Sequence, residues 1–183
     1  MKYSVSAIVL GFFAAFNAAA PTPDDKPDAG QVTITGVTYV GSGCKEGIAH
    51  ISKSPDWSTF TIIFDEYRPT IGLGVPFVEK RKNCNLNVNI NYPQGCQYTL
   101  YTIDYTVFAD LSGGVSVNQQ SQYWFVGFVA QKATFQTNFH GPYTNTYSFT
   151  DTLASESFVW SPCGASITLN IDTQVLITSN DPK

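Results

Sequence analysis

From Lys82 to Cys96 the chain reads K-N-C-N-L-N-V-N-I-N-Y-P-Q-G-C, an apolar–amide alternation bounded by two cysteines. Leu86, Val88, Ile90 and Tyr92 fall on one face of such a segment; Asn85, Asn87, Asn89 and Asn91 fall on the other. A period of two is what a half-buried β-strand requires, because successive side chains of a strand point to opposite sides. Pro93, Gln94 and Gly95 supply a turn directly afterwards.

The same two-residue rhythm recurs along the chain. Val32 to Val40 is rich in β-branched residues, with Gly36 marking a bulge or bend. Gly47 to Ser52 reads as a short strand, and Thr59 to Tyr67 places Phe60, Ile62 and Phe64 inward. Gln97 to Leu111 changes phase: Tyr98 and Leu100 share one parity, whereas Ile103, Tyr105 and Val107 share the other, so a bulge or sheet crossing is expected near Thr102. Gln122 to Phe135 is apolar on both faces and reads as a central strand. Ser166 to Thr178 closes the pattern with Ile167, Leu169, Ile171, Val175 and Ile177 in phase. With no amphipathic helix longer than two turns, the expected architecture is an all-β, disulfide-stapled β-sandwich, jelly-roll-like or immunoglobulin-like, forming a single domain.

Residues 1–20 read as a signal peptide. Lys2 gives a positive start, Val5 to Phe16 is an apolar stretch, and Ala18, Ala19 and Ala20 offer small residues for cleavage after Ala19 or Ala20. The apolar stretch falls short of the about 20 residues that cross a bilayer, so secretion is expected rather than anchoring. Residues 21–30 are expected to be a flexible acidic tail, and residues 31–183 the secreted domain. The polar end, Ser179 to Lys183, lacks the hydrophobic tail of a lipid-anchor signal. No Asn-x-Ser/Thr sequon occurs, so N-glycosylation is not expected.

The 183 residues carry a formal charge of −4, one unit more negative once Lys2 is removed. Nucleic acid is not an expected partner, because phosphate binding needs clustered Lys and Arg, and Lys80-Arg81-Lys82 is the lone basic cluster. No membrane partner and no cofactor are expected, and the protein is expected to be a monomer.

Four cysteines, Cys44, Cys84, Cys96 and Cys163, allow three pairings. An extended Asn85–Tyr92 covers about 26 Å. The turn after it recovers at most about 14 Å, and bonded α-carbons lie within about 7 Å. Cys84–Cys96 is therefore out of reach, and Cys44–Cys163 goes with it. Cys44–Cys84 with Cys96–Cys163 and Cys44–Cys96 with Cys84–Cys163 remain open; the former is preferred because it joins neighbouring loops and pins the last strand through Cys163. Scattered single cysteines do not have the paired spacing of zinc ligands, so no metal site is expected.

Catalytic groups lack a recognisable arrangement. His50 and His140 stand apart from any Gly-x-Ser-x-Gly elbow. Asp65, Glu66, Asp104, Asp110, Asp151 and Glu156 are dispersed carboxylates that single out no acid–nucleophile pair. Gly72-Leu73-Gly74 lacks the third glycine and following helix of a nucleotide site. The expectation is a protein without enzymatic activity and with no catalytic residues. The distinctive polar surface is the row Asn85, Asn87, Asn89 and Asn91. Planar amides beside an aromatic platform suit sugar hydroxyls, with Trp57, Tyr101 and Tyr105 as platform candidates.

Several short segments recur in the same order in one known group: Gly41-Ser42-Gly43-Cys44, the strand ending Phe64-Asp65-Glu66-Tyr67, Ile71-Gly72-x-Gly74, Arg81-Lys82-Asn83-Cys84, Tyr92-Pro93-x-Gly95, Ala109-Asp110-Leu111, Gly114-Val115 and Trp160-Ser161-Pro162-Cys163-Gly164. The chain from Val32 to Ser179 thus resembles the small secreted proteins, common in filamentous fungi, catalogued as domain of unknown function 4360. The resemblance implies a β-rich secreted domain and carries over no catalytic residue. Three functions compete on this reading: a non-enzymatic extracellular protein that binds wall glycan or a host protein in the manner of an effector, a structural wall component, and a carbohydrate-active enzyme using dispersed Asp and Glu.

Overall fold

A computed structural model of the chain describes residues 2–16, 31–47, 49–55, 59–163 and 166–180. The proposed cleavage site, the acidic tail and Trp57 lie outside the described residues. Among the described residues, ten strands form two five-stranded sheets. They are β1 (Lys2–Phe16), β2 (Thr33–Val40), β3 (Ala49–Lys53), β4 (Thr59–Phe64), β5 (Arg81–Asn91), β6 (Cys96–Leu111), β7 (Val115–Phe125), β8 (Ala133–His140), β9 (Tyr143–Thr152) and β10 (Ile167–Ser179).

One sheet has the order β3-β4-β1-β6-β9 and the other β2-β5-β10-β7-β8, with every pairing antiparallel. The chain repeatedly switches sheet between consecutive strands, the habit of Greek-key and jelly-roll sandwiches. The all-β sandwich read from the periodicity is the architecture found.

Alternation in β5 decides which way that strand faces. Leu86, Val88 and Ile90 are buried, while Asn89 and Asn91 are exposed and Asn85 and Asn87 half-buried. In β10 the inward set is Leu169, Ile171, Thr173, Val175 and Ile177. Opposite them the β6 residues Leu100, Ile103, Tyr105 and Val107 are buried. The phase change in β6 coincides with a register irregularity between Leu100 and Thr102, which turns both apolar sets toward the core.

Aromatic groups tie the two sheets together. Tyr98 meets Phe125 edge-on at 5.1 Å, and Phe139 meets Phe149 at 5.0 Å. A polar seam runs through the apolar core. The Tyr105 hydroxyl donates to Ser121 Oγ at 3.0 Å, and Ser121 donates to Thr173 Oγ1 at 3.2 Å. Each buried hydroxyl so paired avoids the desolvation cost of an unmet hydrogen bond.

Two expectations are corrected. The strand placed at Gln122 to Phe135 ends at Phe125, where Gly127 (φ 86°) reverses the chain; Val126, Phe128 and Val129 lie exposed in the loop before β8. Their apolarity belongs to a loop rather than to a buried second face. Tyr105 is 1% exposed and bonded within the core, so it offers no platform to a ligand. Among the four cysteines one bridge is formed in this structure. Cys44–Cys84 is bonded, with a Cα–Cα distance of 5.5 Å, whereas Cys96 and Cys163 are thiols. The Cys44–Cys84 bond eliminates the Cys44–Cys96 with Cys84–Cys163 alternative.

The segment Lys2–Phe16, read from sequence as most of a leader, forms β1 between β4 and β6 in the full chain. Its neighbours β4 and β6 are not paired with each other there.

Candidate functional site

The outer face of the β2-β5-β10-β7-β8 sheet gathers the asparagine row into something larger. Antiparallel register aligns Thr38, Asn87, Asn170 and Trp124 across four strands. The next row holds Val40, Asn85, Asp172, Gln122 and Thr134. Beyond it lie Asn83, Gln174, Gln120 and Gln136, then Arg81, Leu176, Asn118 and Asn138. A field of amides and hydroxyls results, because each strand directs its polar parity to the same side.

Many of these groups engage one another across the strands. Asn118 Nδ2 donates to Asn138 Oδ1 at 2.7 Å, Gln174 Nε2 to Gln120 Oε1 at 2.8 Å, and Gln122 Nε2 to Thr134 Oγ1 at 3.2 Å. Thr168 Oγ1 donates to Asn89 Oδ1 at 2.6 Å, and Asn87 Nδ2 reaches Thr38 Oγ1 at 3.4 Å. Both Arg81 Nε and Nη2 donate to Gln174 Oε1. These cross-strand bonds hold the amide planes in place while leaving further donor and acceptor positions on each amide.

Trp124 supplies the aromatic element, with Lys132 Nζ 4.5 Å from the ring centroid. Asp172 is a carboxylate within the field, and its row neighbours Asn85 and Gln122 are amides. Burial raises its pKa from its ordinary value, while Arg81 and Lys132 pull it back.

The other candidates read from the sequence are dispersed. Asp104 accepts from Thr150 and Asp110 from Thr144 on the outer face of the opposite sheet. Asp151 accepts two contacts from Thr137 Oγ1, at 2.9 and 2.8 Å, where β8 meets β9. His50 lies 3.5 Å from Asp65 at an exposed position. His140 ends β8 and its Nδ1 lies 3.0 Å from Ser116 Oγ. This Ser–His contact borders a cleft of about 420 Å³ lined by Leu111, Asn138, Phe139, His140 and Tyr143. Cys44 and Cys84 bond beneath the field's edge and have a structural part. Tyr101 is half-buried in β6, on the other sheet from the asparagines.

Reading the sequence strand by strand found β5 but missed Trp124, Asn170, Gln120, Gln122 and Gln174. The outward parity Ser116, Asn118, Gln120, Gln122 was there to be found in β7. It was obscured because the inward parity contains Gln119 and Ser121, both 1% exposed, so polarity does not alternate.

The site and fold define a class: a two-sheet β-sandwich with one amide-rich outer face and a disulfide at its margin. Residues 30–183 match the family described as domain of unknown function (DUF4360), and the chain belongs to that family. It is also 44% identical over 155 residues to a protein of Arthroderma benhamiae named "Uncharacterized secreted protein". The match covers 85% of this chain and 63% of that relative's length.

Proposed function

We propose that this is a secreted, non-enzymatic protein that binds cell-wall glycan through the amide field of the β2-β5-β10-β7-β8 sheet. The observation that carries the reading is the placing of Asn87 and Trp124 in one row, on either side of the buried Asn170, with Asn85 and Gln122 in the next. Amides held in fixed planes present paired donors and acceptors to vicinal hydroxyls, and a surface that spans several strands matches an extended polysaccharide better than a compact ligand. Secretion is supported by the leader-like Lys2–Ala20 sequence, by the Cys44–Cys84 bond and by the name of the Arthroderma relative. Non-enzymatic action is supported by the amide neighbours of Asp172, since glycoside hydrolysis ordinarily pairs two carboxylates across the scissile bond.

The experiment is co-sedimentation of the secreted protein with insoluble chitin and β-glucan, beside capture from host extracellular extract. Wild type should pellet with glycan. A variant carrying Asn87→Thr, Gln122→Thr and Trp124→Ala should stay in solution while keeping its melting temperature. Passage of the wild type through every glycan would overturn the proposal, and a single defined host protein recovered instead would favour a host-directed role.

A further inference from the structure

The two cysteines outside the Cys44–Cys84 bond are far apart in sequence, yet the chain lays their segments side by side. The Ser161 backbone N–H donates to the Tyr98 carbonyl at 2.9 Å, and the Tyr98 N–H donates to Ser161 Oγ at 2.9 Å. Upstream, Leu153 N–H donates to the Tyr101 carbonyl, so the segment from Leu153 to Ser161 runs in the direction opposite to the start of β6. Cys163 lies two residues beyond Ser161 and Cys96 two residues before Tyr98, so this contact brings the two cysteines into one neighbourhood.

Two more contacts hold this alignment. Gln97 Nε2 donates to the Ser161 carbonyl and the Tyr92 hydroxyl to the Pro162 carbonyl, each at 2.7 Å. The Tyr92 ring is itself braced edge-on by Tyr98 at 5.1 Å. Burial raises the Tyr92 pKa, and Cys163 and Cys96 both add to that rise, so both thiols lie near one hydroxyl.

We infer that Cys96 and Cys163 form a second disulfide in the secreted protein. A disulfide needs α-carbons about 4.4–6.8 Å apart, and the Ser161–Tyr98 and Pro162–Tyr92 contacts hold the Cys163 segment beside the start of β6 at that scale. Access is asymmetric: Cys163 is exposed and Cys96 is 6% exposed. The Cys163 thiolate attacks the disulfide of a secretory-pathway oxidoreductase and displaces one of its sulfurs as a thiolate. The Cys96 thiolate then attacks Cys163 Sγ in that mixed disulfide. The oxidoreductase leaves as a dithiol carrying the two electrons and two protons that the cysteines lose. The bond would fasten the segment leading into β10 to the start of β6, joining the two sheets at the end opposite Cys44–Cys84.

The test uses the full chain secreted from a eukaryotic host, denatured without reductant, alkylated and digested. A peptide joining Cys96 to Cys163, with no alkyl label on either, is the expected result. Alkyl label on both residues beside an intact Cys44–Cys84 peptide would overturn the inference, as would covalent dimers linked through Cys163. A Cys163→Ser variant should expose Cys96 to label after denaturation and melt lower by roughly 10 °C, the scale for losing a long-loop bridge in a domain of this size. The wild-type peptide map decides the question even if that variant is not secreted.

Discussion

Gly43 lies flat against the ring of Tyr67: a Cβ built on Gly43 would stand 1.9 Å from Tyr67 Cδ2 and 2.2 Å from Cε2. Tyr67 cannot withdraw, because it is fully buried, stacked on Phe64 at 5.0 Å, and its hydroxyl lies 3.5 Å from Thr173 Oγ1. Gly43 is equally fixed by its N–H bond to the Asn83 carbonyl at 2.9 Å and by its bonded neighbour Cys44. The loop before Cys44 therefore needs glycine for space, not for an unusual backbone angle. Gly43→Ala should destabilise the domain by about 3 kcal/mol or more, the upper range for overpacking. A urea midpoint equal to wild type would show that the ring can move aside.

The two faces of β5 should respond oppositely to exchange of polarity. Asn91→Thr, on the exposed face, is expected to change stability by no more than about 0.5 kcal/mol. Val88→Asn would put an amide where the side chain is 0% exposed, at a cost of several kcal/mol (~3 or more). Comparable denaturation midpoints for the two variants would contradict the assigned facing.

Asp172 offers a test of pH linkage. Its folded-state pKa is raised, first by burial, so the carboxylate is disfavoured in the folded protein. A raised pKa gives stability that is complete below the unfolded value, about 3.9, and lost as pH rises through the folded value. Asp172→Asn imitates the protonated form and should stabilise the protein at neutral pH more than at strongly acidic pH. Urea titrations of both proteins at the two pH values decide it; a pH-independent difference counts against the burial argument.

Buried tyrosines set the alkaline limit. Burial pushes the hydroxyls of Tyr67, Tyr98, Tyr105 and Tyr123 upward, with their hydrogen bonds to Thr173, Ser121 and Thr99 partly offsetting it at Tyr67, Tyr105 and Tyr123 respectively. The unfolded chain ionises near pH ~10 while the folded one keeps these protons. Stability should therefore hold below that pH and fall as pH climbs above it. Tyrosinate absorbance should rise together with the loss of near-ultraviolet circular dichroism. Full ionisation with the dichroism intact would refute the linkage.

Removal of residues 1–20 should be visible in the sheet that holds β1. In the full chain β1 pairs with Thr59–Ile63 on one side and with Cys96–Asp110 on the other. Without it, amides on the facing edges of β4 and β6 lose their partners and should exchange hydrogen faster in the processed chain than in the precursor. Identical protection in both forms would mean that the two strands close on each other.

The strand character of this protein and the facing of β5 were legible in the chain alone, because Leu86, Val88 and Ile90 alternate with asparagine without interruption and a strand has a period of two. Cys84–Cys96 was excluded in the same way, since an extended segment cannot bring its own ends together. Local patterning could not choose between the two remaining pairings, nor foresee that β7 and β10 extend the asparagine row to Trp124. Those outcomes depend on which strands become neighbours and in what register, and register is fixed by contacts between residues far apart in the chain. Gln119, Ser121 and Thr173 show why local reading stops there: they are polar yet inward, and the partners that make Ser121 and Thr173 tolerable in the core, Tyr105 and Tyr67, arrive from the opposite sheet and from a loop.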